Sequence, residues 1–282
     1  MTRGGGIGRR AETWLLLAPA ILLVVVVFAI PVLRFFWLAF TAPEGAFSTF
    51  AKLLETPVYR RILINTFVVA TIVTSVTAVL AWPVAYVLSR VRGHAFTLLL
   101  YGVLFSLWIS VLVRAYSWML LLERNGPINR ALQAIGLTDA PLTLLFNQFA
   151  VVIGMVHLLF PYMVLPLYGS MSRIDRRLMM ASDGLGAGLW QSFRRVWFPL
   201  SLPGLAGGAT FVFLLSLGFY ITPALLGGRS STMLPTLIVS FISEHLNWPM
   251  AAAASVTLLG MVAVLGLAAL RFLRLDRGAF LR

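Results

Sequence analysis

Cysteine is absent from this sequence of 282 residues, lysine occurs once, at Lys52, and only nine residues are acidic. Without cysteine the chain builds neither a disulfide framework nor a thiolate metal site. Gly184, Gly186 and Gly188 faintly resemble a phosphate-binding glycine loop, but no lysine completes the Gly-Lys-Ser/Thr ending that such a loop needs. If ATP drives this protein, the energy enters through a partner. The three histidines, His94, His157 and His245, are scattered, so no metal cluster is expected. His157, within an apolar run, reads as a hydrogen-bonded interior residue rather than a ligand. The lack of any catalytic cluster disfavours a membrane enzyme or an assembly factor.

Charge as a whole is scarce. Only 11% of residues are charged, 60% are hydrophobic and the mean hydropathy is +0.94, against about 25% and 45–50% in soluble domains. The composition is that of one membrane domain spanning residues 1–282. Six segments suffice to cross a hydrocarbon core of roughly 30 Å, which takes about 20 helical residues: 14–38, 62–88, 97–121, 148–169, 203–222 and 250–271. The first resembles a signal peptide in its flanking Arg9 and Arg10. Its apolar run is too long for one and no small-residue cleavage site follows, so a retained span is expected.

The net charge of +13 invites a nucleic-acid reading, which the positions of the charges displace. With the N-terminus inside, the inner segments carry 14 basic residues: Arg3, Arg9, Arg10, Arg90, Arg92, Arg173, Arg176, Arg177, Arg194, Arg195, Arg271, Arg274, Arg277 and Arg282. The outer segments carry six, Lys52, Arg60, Arg61, Arg124, Arg130 and Arg229, while Arg34 and Arg114 fall within spans. Basic residues gather on the cytoplasmic side of short loops, so both termini are expected there. No nucleic-acid partner is expected.

The spans also lack acids. Glu12, Glu44, Glu55, Glu123, Asp139, Asp175, Asp183, Glu244 and Asp276 all lie in loops or tails. Proton- or sodium-coupled carriers bury a carboxylate for the coupling ion, and no inverted repeat is visible. A stand-alone secondary transporter or channel is therefore the second reading. Prolines at 19, 31, 83, 161 and 166 fit either ordinary kinks or helices bent around a pathway.

What is abundant is concentrated in "SDGLGAGLWQSFRRVWFPLSLPGL", Ser182 to Leu205. Glycines, prolines, Trp190, Phe193, Trp197, Phe198, Arg194 and Arg195 crowd a short connection within 171–202. One reading is a firm knob whose aromatics fill a partner's cleft. The other is an amphipathic helix lying under lipid headgroups. Physics alone leaves both open.

The stretch resembles the cytoplasmic signature of permease subunits of binding-protein-dependent ABC importers. That signature opens Glu-Ala-Ala, reaches a glycine after three intervening residues and closes in Ile-x-Leu-Pro. Ala181, Gly186 and Pro199 match, Val196 and Phe198 are apolar replacements, and Met180 and Ser182 stand where the family has glutamate and alanine. "LVRAYSWMLLLERNGPINRALQAIGL" (112–137), "VLPLYGSMSRID" (164–175) and "TPALLGG" (222–228) are similar to the spermidine/putrescine-type branch. The resemblance implies an all-α membrane protein of about six helices with the type I importer permease fold. It implies that Ala181, Ser182, Gly186, Val196, Phe198 and Pro199 couple the chain to a separate ATPase. The implied partners are a second homologous permease, two ABC ATPase subunits, an extracytoplasmic solute-binding protein and membrane lipid. ATP and magnesium would sit on the ATPases, and this chain would bind no cofactor.

For the solute, the branch implies a polyamine, although "GFYITPALLGG" (218–228) has no acid to meet an ammonium group. Tyr116, Trp118, Phe219 and Tyr220 offer aromatic faces to a cation, or serve as plain packing, and Thr222 adjoins them. Arg114 is a candidate functional charge, an interhelical partner, or a side chain reaching outward. It would repel a cation, which keeps an anionic or zwitterionic solute in view.

Overall fold

The structure is a computed structural model that describes residues 6–41, 45 and 47–279; Arg3, Glu44 and Arg282, placed above by their charge, lie outside the described residues. In chain order the helices are α1 (Gly6–Leu23), α2 (Ile30–Trp37), α3 (Ser48–Glu55), α4 (Pro57–Arg90), α5 (Gly93–Trp108), α6 (Val111–Leu122) and α7 (Pro127–Ala134). There follow α8 (Gln148–Met171), α9 (Arg176–Gly184), α10 (Leu189–Ser192), α11 (Phe198–Leu217), α12 (Ile221–Leu226), α13 (Leu234–Ser243) and α14 (Trp248–Ala279). No strand occurs among the described residues. Five helical stretches are long and apolar enough to cross a membrane, at 14–40, 57–90, 148–171, 190–217 and 248–271. A sixth crossing exists only as a bent pair, Gly93–Trp108 with Val111–Ala134, which turn by 97° against each other.

Two prolines shape helices in the same way. Pro31 follows a π-helical turn at Val24–Ala29, and Pro199 follows another at Phe193–Trp197. The amide just ahead of each proline reaches back five residues, Ile30 to the Val25 carbonyl and Phe198 to the Phe193 carbonyl. A proline ring collides with the carbonyl four residues before it, and a widened turn moves that carbonyl aside. At two other helix starts an asparagine side chain supplies the cap. The Asn147 carboxamide oxygen accepts from the Ala150 amide at 3.0 Å and begins α8. Asn247 does the same for Met250 at 3.1 Å and begins α14.

The chain divides into two compact units, one of residues 57–237 with 258–282, the other of residues 1–56 with 238–257. In the larger, α4, α8 and α11 pack against one another. Val69, Val73, Ala81 and Ala85 of α4, Met155, Leu159, Met163 and Leu167 of α8, and Val212 of α11 are buried at 0% exposure. Lipid gives no hydrophobic drive between helices, so close backbone approach must hold them. Gly204 and Gly208 provide it: a Cβ on Gly204 would fall 2.4 Å from the Ser170 Cβ, and one on Gly208 2.9 Å from the Met163 sulfur. In the smaller unit Ala39, Ala252 and Ala253 are buried beneath Phe35, Leu38, Phe50 and Val256, and the Thr49 hydroxyl donates to the Ala39 carbonyl at 2.8 Å.

Two segments differ from the spans expected of the sequence. The apolar run at 97–121 is not one helix, because Ile109 and Ser110 are extended, with ψ of 130° and 137°. The run at 203–222 belongs to a helix that starts earlier and stops at Leu217, leaving Phe219, Tyr220 and Thr222 beyond its end.

Candidate functional site

The segment 176–199 folds as a hairpin with a glycine at its tip. The Ala187 amide donates to the Ser182 carbonyl and the Leu185 amide to the Ala181 carbonyl, both at 3.1 Å. Gly186 lies between them at φ +79°. This is a Schellman-type closure of α9, in which the residue past the helix end must turn left-handed. A Cβ on Gly186 would meet nothing within 4 Å, so backbone conformation, rather than crowding within this chain, calls for glycine there. On the return limb the Gly188 carbonyl accepts from the amides of Gln191 and Ser192, both at 2.9 Å. The hydroxyls of Ser182 and Ser192 share a hydrogen bond of 2.8 Å that ties the limbs together.

The hairpin has two unlike faces. Outward stand Leu185, 89% exposed, Trp190, 71%, and Met180, 63%. Ala181, Gly186, Arg194 and Arg195 are exposed as well. Inward lie Ser192 and Trp197, both buried, with Phe193 half-buried. The sequence leaves the aromatics to a partner's cleft or to lipid headgroups. For Phe193 and Trp197 that is corrected: Phe193 meets Trp82 of α4 edge-on at 4.9 Å, and Trp197 meets Tyr86 of α4 at 5.4 Å. Val196 and Pro199 are half-buried, and Phe198 is exposed. Of the six candidate coupling residues, Ala181, Ser182 and Gly186 make the turn, and Val196, Phe198 and Pro199 make the root of α11.

The candidate pathway residues lie on α6 and on the stretch that leads from the end of α11 into α12, two helices that pack against each other. Arg114, 5% exposed, sits in the first turn of α6 and donates through Nη2 to the carbonyls of Ser106 and, at 3.0 Å, of Ile109. Those carbonyls end α5, where the helix lacks amide donors and carries partial negative charge. Of the roles open to Arg114, the structure shows an interhelical partner that closes a broken helix. One turn on, the Trp118 indole N–H donates to His157 Nδ1 of α8 at 3.0 Å, the rings meeting edge-on at 5.9 Å. An Nδ1 that accepts leaves the imidazole proton on Nε2. His157 is hydrogen-bonded as expected, but exposed rather than interior. The i, i+4 spacing of Arg114 and Trp118 was visible in the sequence, whereas their pairing with α5 and α8 was not.

Thr222 is buried at the start of α12, where its methyl would lie 2.7 Å from a Cβ on Gly154 of α8. Phe219 is half-buried, while Tyr220 and Tyr116 are exposed at 39% and 53%. The turn after α6 is tight: a Cβ on Gly126 would come within 2.9 Å of the carbonyl oxygens of Leu120, Leu121 and Glu123. Asn129, 1% exposed, donates to the carbonyls of Glu123 and Leu142 and accepts from the Leu142 amide at 2.9 Å, bracing that loop.

Residues 83–276 match the family described as "Binding-protein-dependent transport system inner membrane component". The chain is 34% identical over 229 residues to the spermidine/putrescine transport system permease protein PotB of Salmonella typhimurium (strain SL1344), covering 81% of this chain and 78% of that protein. In fold it is similar to a chain of the bacterial alginate ABC transporter in complex with an alginate pentasaccharide-bound periplasmic protein (TM-score 0.78, 18% identity, 93% and 94% of the two chains covered). It is also similar to a chain of the MetNI methionine ABC transporter in an inward-facing conformation (TM-score 0.58, 19% identity, 80% and 96% covered).

Proposed function

The chain belongs to the family of binding-protein-dependent transport system inner membrane components, the permease subunits of ABC importers, and from that premise we propose that it forms half of an ATP-driven uptake pathway for a polyamine. It is a multi-pass inner-membrane protein. In this reading a second, homologous permease completes the pathway, two ABC ATPase subunits sit on the cytoplasmic face, and a solute-binding protein delivers the solute from outside. Both termini and the 176–199 hairpin are cytoplasmic. The chain hydrolyses no ATP itself, and ATP with magnesium belongs to the ATPases.

The observation that carries the proposal is the tip of the hairpin. A glycine-closed turn held by Ala181, Ser182 and Ala187 presents Leu185 and Trp190 to solvent. Exposed large apolar side chains on a braced turn suit capture in a cleft of another protein. They suit an immersed interfacial helix less well, since α9 is closed by Gly186 just ahead of Leu189, where α10 starts. Spermidine is the proposed solute because the PotB relative carries that name. With no acid in 218–228, aromatic faces would hold the ammonium groups, and Trp118, Tyr116, Phe219, Tyr220 and Thr222 remain the proposed pathway set. Arg114 shapes that pathway by tying the end of α5 to the first turn of α6 through Nη2.

The test is Gly186→Asp, read as membrane abundance and as uptake of radiolabelled spermidine in the same cells. The variant adds bulk and charge where the partner docks, and an unpaired buried charge costs about 3–5 kcal/mol. Abundance near wild type with uptake abolished is the expected result. Normal uptake at normal abundance sinks the coupling role of the hairpin. Uptake of an anionic solute in place of spermidine leaves that role standing and overturns the solute.

A further inference from the structure

Beneath the hairpin lies a second arrangement that docking does not require. Trp82, Tyr86 and Arg90 recur every four residues along the last turns of α4 and form one stripe. Trp82 and Tyr86 stack, with ring centroids 5.7 Å apart and planes 9° from parallel. Facing them are Phe193, Trp197 and Ser201, at the same spacing on the π-helical turn and the first turn of α11. Phe193 stands edge-on to Trp82 and Trp197 edge-on to Tyr86. The Trp82 indole N–H donates to the Ser201 hydroxyl at 3.3 Å. The Arg90 guanidinium carbon lies 4.3 Å from the Trp197 ring centroid and 5.3 Å from that of Tyr86. Phe193 in turn stacks on the exposed Trp190 at 5.3 Å. A continuous line of rings thus runs from the outer face of the hairpin to α4, and a cation closes its lower end.

The contacts differ in kind from the glycine packing between α8 and α11. Ring stacking and edge contacts resist sliding, because the quadrupoles fix both offset and angle. A guanidinium between two rings adds a planar, electrostatic hold that an ammonium on a flexible stem reproduces poorly. The turn that leads into α9 shares this place: a cavity of about 570 Å³ is lined by Arg90 and Trp197 together with Ser172, Ile174 and Asp175. Movement imposed on the hairpin therefore reaches α4 through these side chains.

Resting on the coupling role proposed above, we propose that Arg90 is the positioning residue that clamps the hairpin to α4, so that the two move as one body when the ATPase drives the hairpin. The absence of native cysteine makes the test direct. Spin labels are placed on cysteines at Leu178, 46% exposed on α9 and eight residues ahead of the tip glycine, and at Val79, 72% exposed on α4. Their separation is measured by pulsed electron resonance in the reconstituted complex with its ATPase, without nucleotide and with ATP and vanadate. With Arg90 present the separation is expected to stay the same in both states. In Arg90→Ala the distribution is expected to shift or broaden with nucleotide, and stimulation of ATP hydrolysis by the binding protein should fall at least about fivefold, the low end of ordinary coupling. Arg90→Lys should lie between, and it carries both readings if the alanine variant fails to accumulate. A separation that already changes with Arg90 present, or one that stays fixed in the variants, overturns the clamp. If Gly186→Asp abolishes uptake while the Arg90 variants leave both readings unchanged, the coupling role stands and the clamp alone falls.

Discussion

The break between α5 and α6 and the turn between α9 and α10 both interrupt the helical chain, yet they are closed by opposite means. At the break a buried arginine satisfies the carbonyls that α5 leaves open, and its partners are groups of this chain alone. At the turn a glycine adopts a left-handed backbone with open space around it, and exposed Leu185 and Trp190 flank it. The first interruption is closed by groups of this chain, the second leaves large apolar side chains exposed. A structural element should therefore fail by unfolding, and a docking element by losing function while folded.

The comparison is broken or sharpened most strongly at Arg114. Arg114→Ala removes two charge-assisted hydrogen bonds and leaves the half-buried carbonyls of Ser106 and Ile109 without that donor, a loss of roughly 3 kcal/mol. Expected are a clear fall in membrane abundance and in the unfolding temperature in detergent, with spermidine uptake per molecule unchanged. If abundance holds and uptake per molecule falls, the arginine acts on the solute and the two interruptions are alike after all.

At the turn, Gly186→Ala is the gentler counterpart of the aspartate variant. A β-carbon in the left-handed region costs about 1–2 kcal/mol, spent locally on the tip. Uptake should fall several-fold while abundance stays near wild type. Parallel loss of both would make Gly186 a folding residue like its counterpart at the break.

Smaller effects are expected on the limbs. Ser182→Ala deletes the link to Ser192, a net contribution of about 1 kcal/mol, and should lower uptake modestly with no change in abundance. Met180→Ala should be milder still, because the side chain is 63% exposed and carries no charge to lose. An uptake defect at Met180 equal to that at Gly186 would move the centre of docking to α9.

The sidedness that underlies this contrast has its own measurement. Cysteines at Leu137 and Leu185 would stand at positions 68% and 89% exposed. An impermeant thiol reagent applied to sealed cells should label the first and spare the second. Labelling at Leu185 would reverse the orientation proposed here.

Much of this architecture was legible from the residues. Long apolar runs with no acids define helices in lipid, since nothing else satisfies every backbone group there. The glycine and proline spacing from Gly186 to Pro199 marked the hairpin, because each of those residues imposes a backbone conformation that does not depend on its neighbours. Motifs and their spacing carried the family resemblance, and a single lysine, at Lys52, left no Gly-Lys-Ser/Thr phosphate loop. Other features had no local sign. No proline or glycine stands at Ile109 and Ser110, so the apolar run reads as continuous. The break exists because a guanidinium four residues on is placed to cap the severed end. Aromatic residues in 190–198 look alike in the sequence, yet Trp190 faces solvent and Trp197 is buried against α4. Which way each ring turns depends on the rotation of a π-helical turn and on a stripe that lies about a hundred residues earlier in the chain. The sequence by itself determined which stretches are helical and that the chain turns at Gly186; only packing between distant helices decided where the 97–121 run breaks, which side chains the protein keeps for itself and which it leaves exposed.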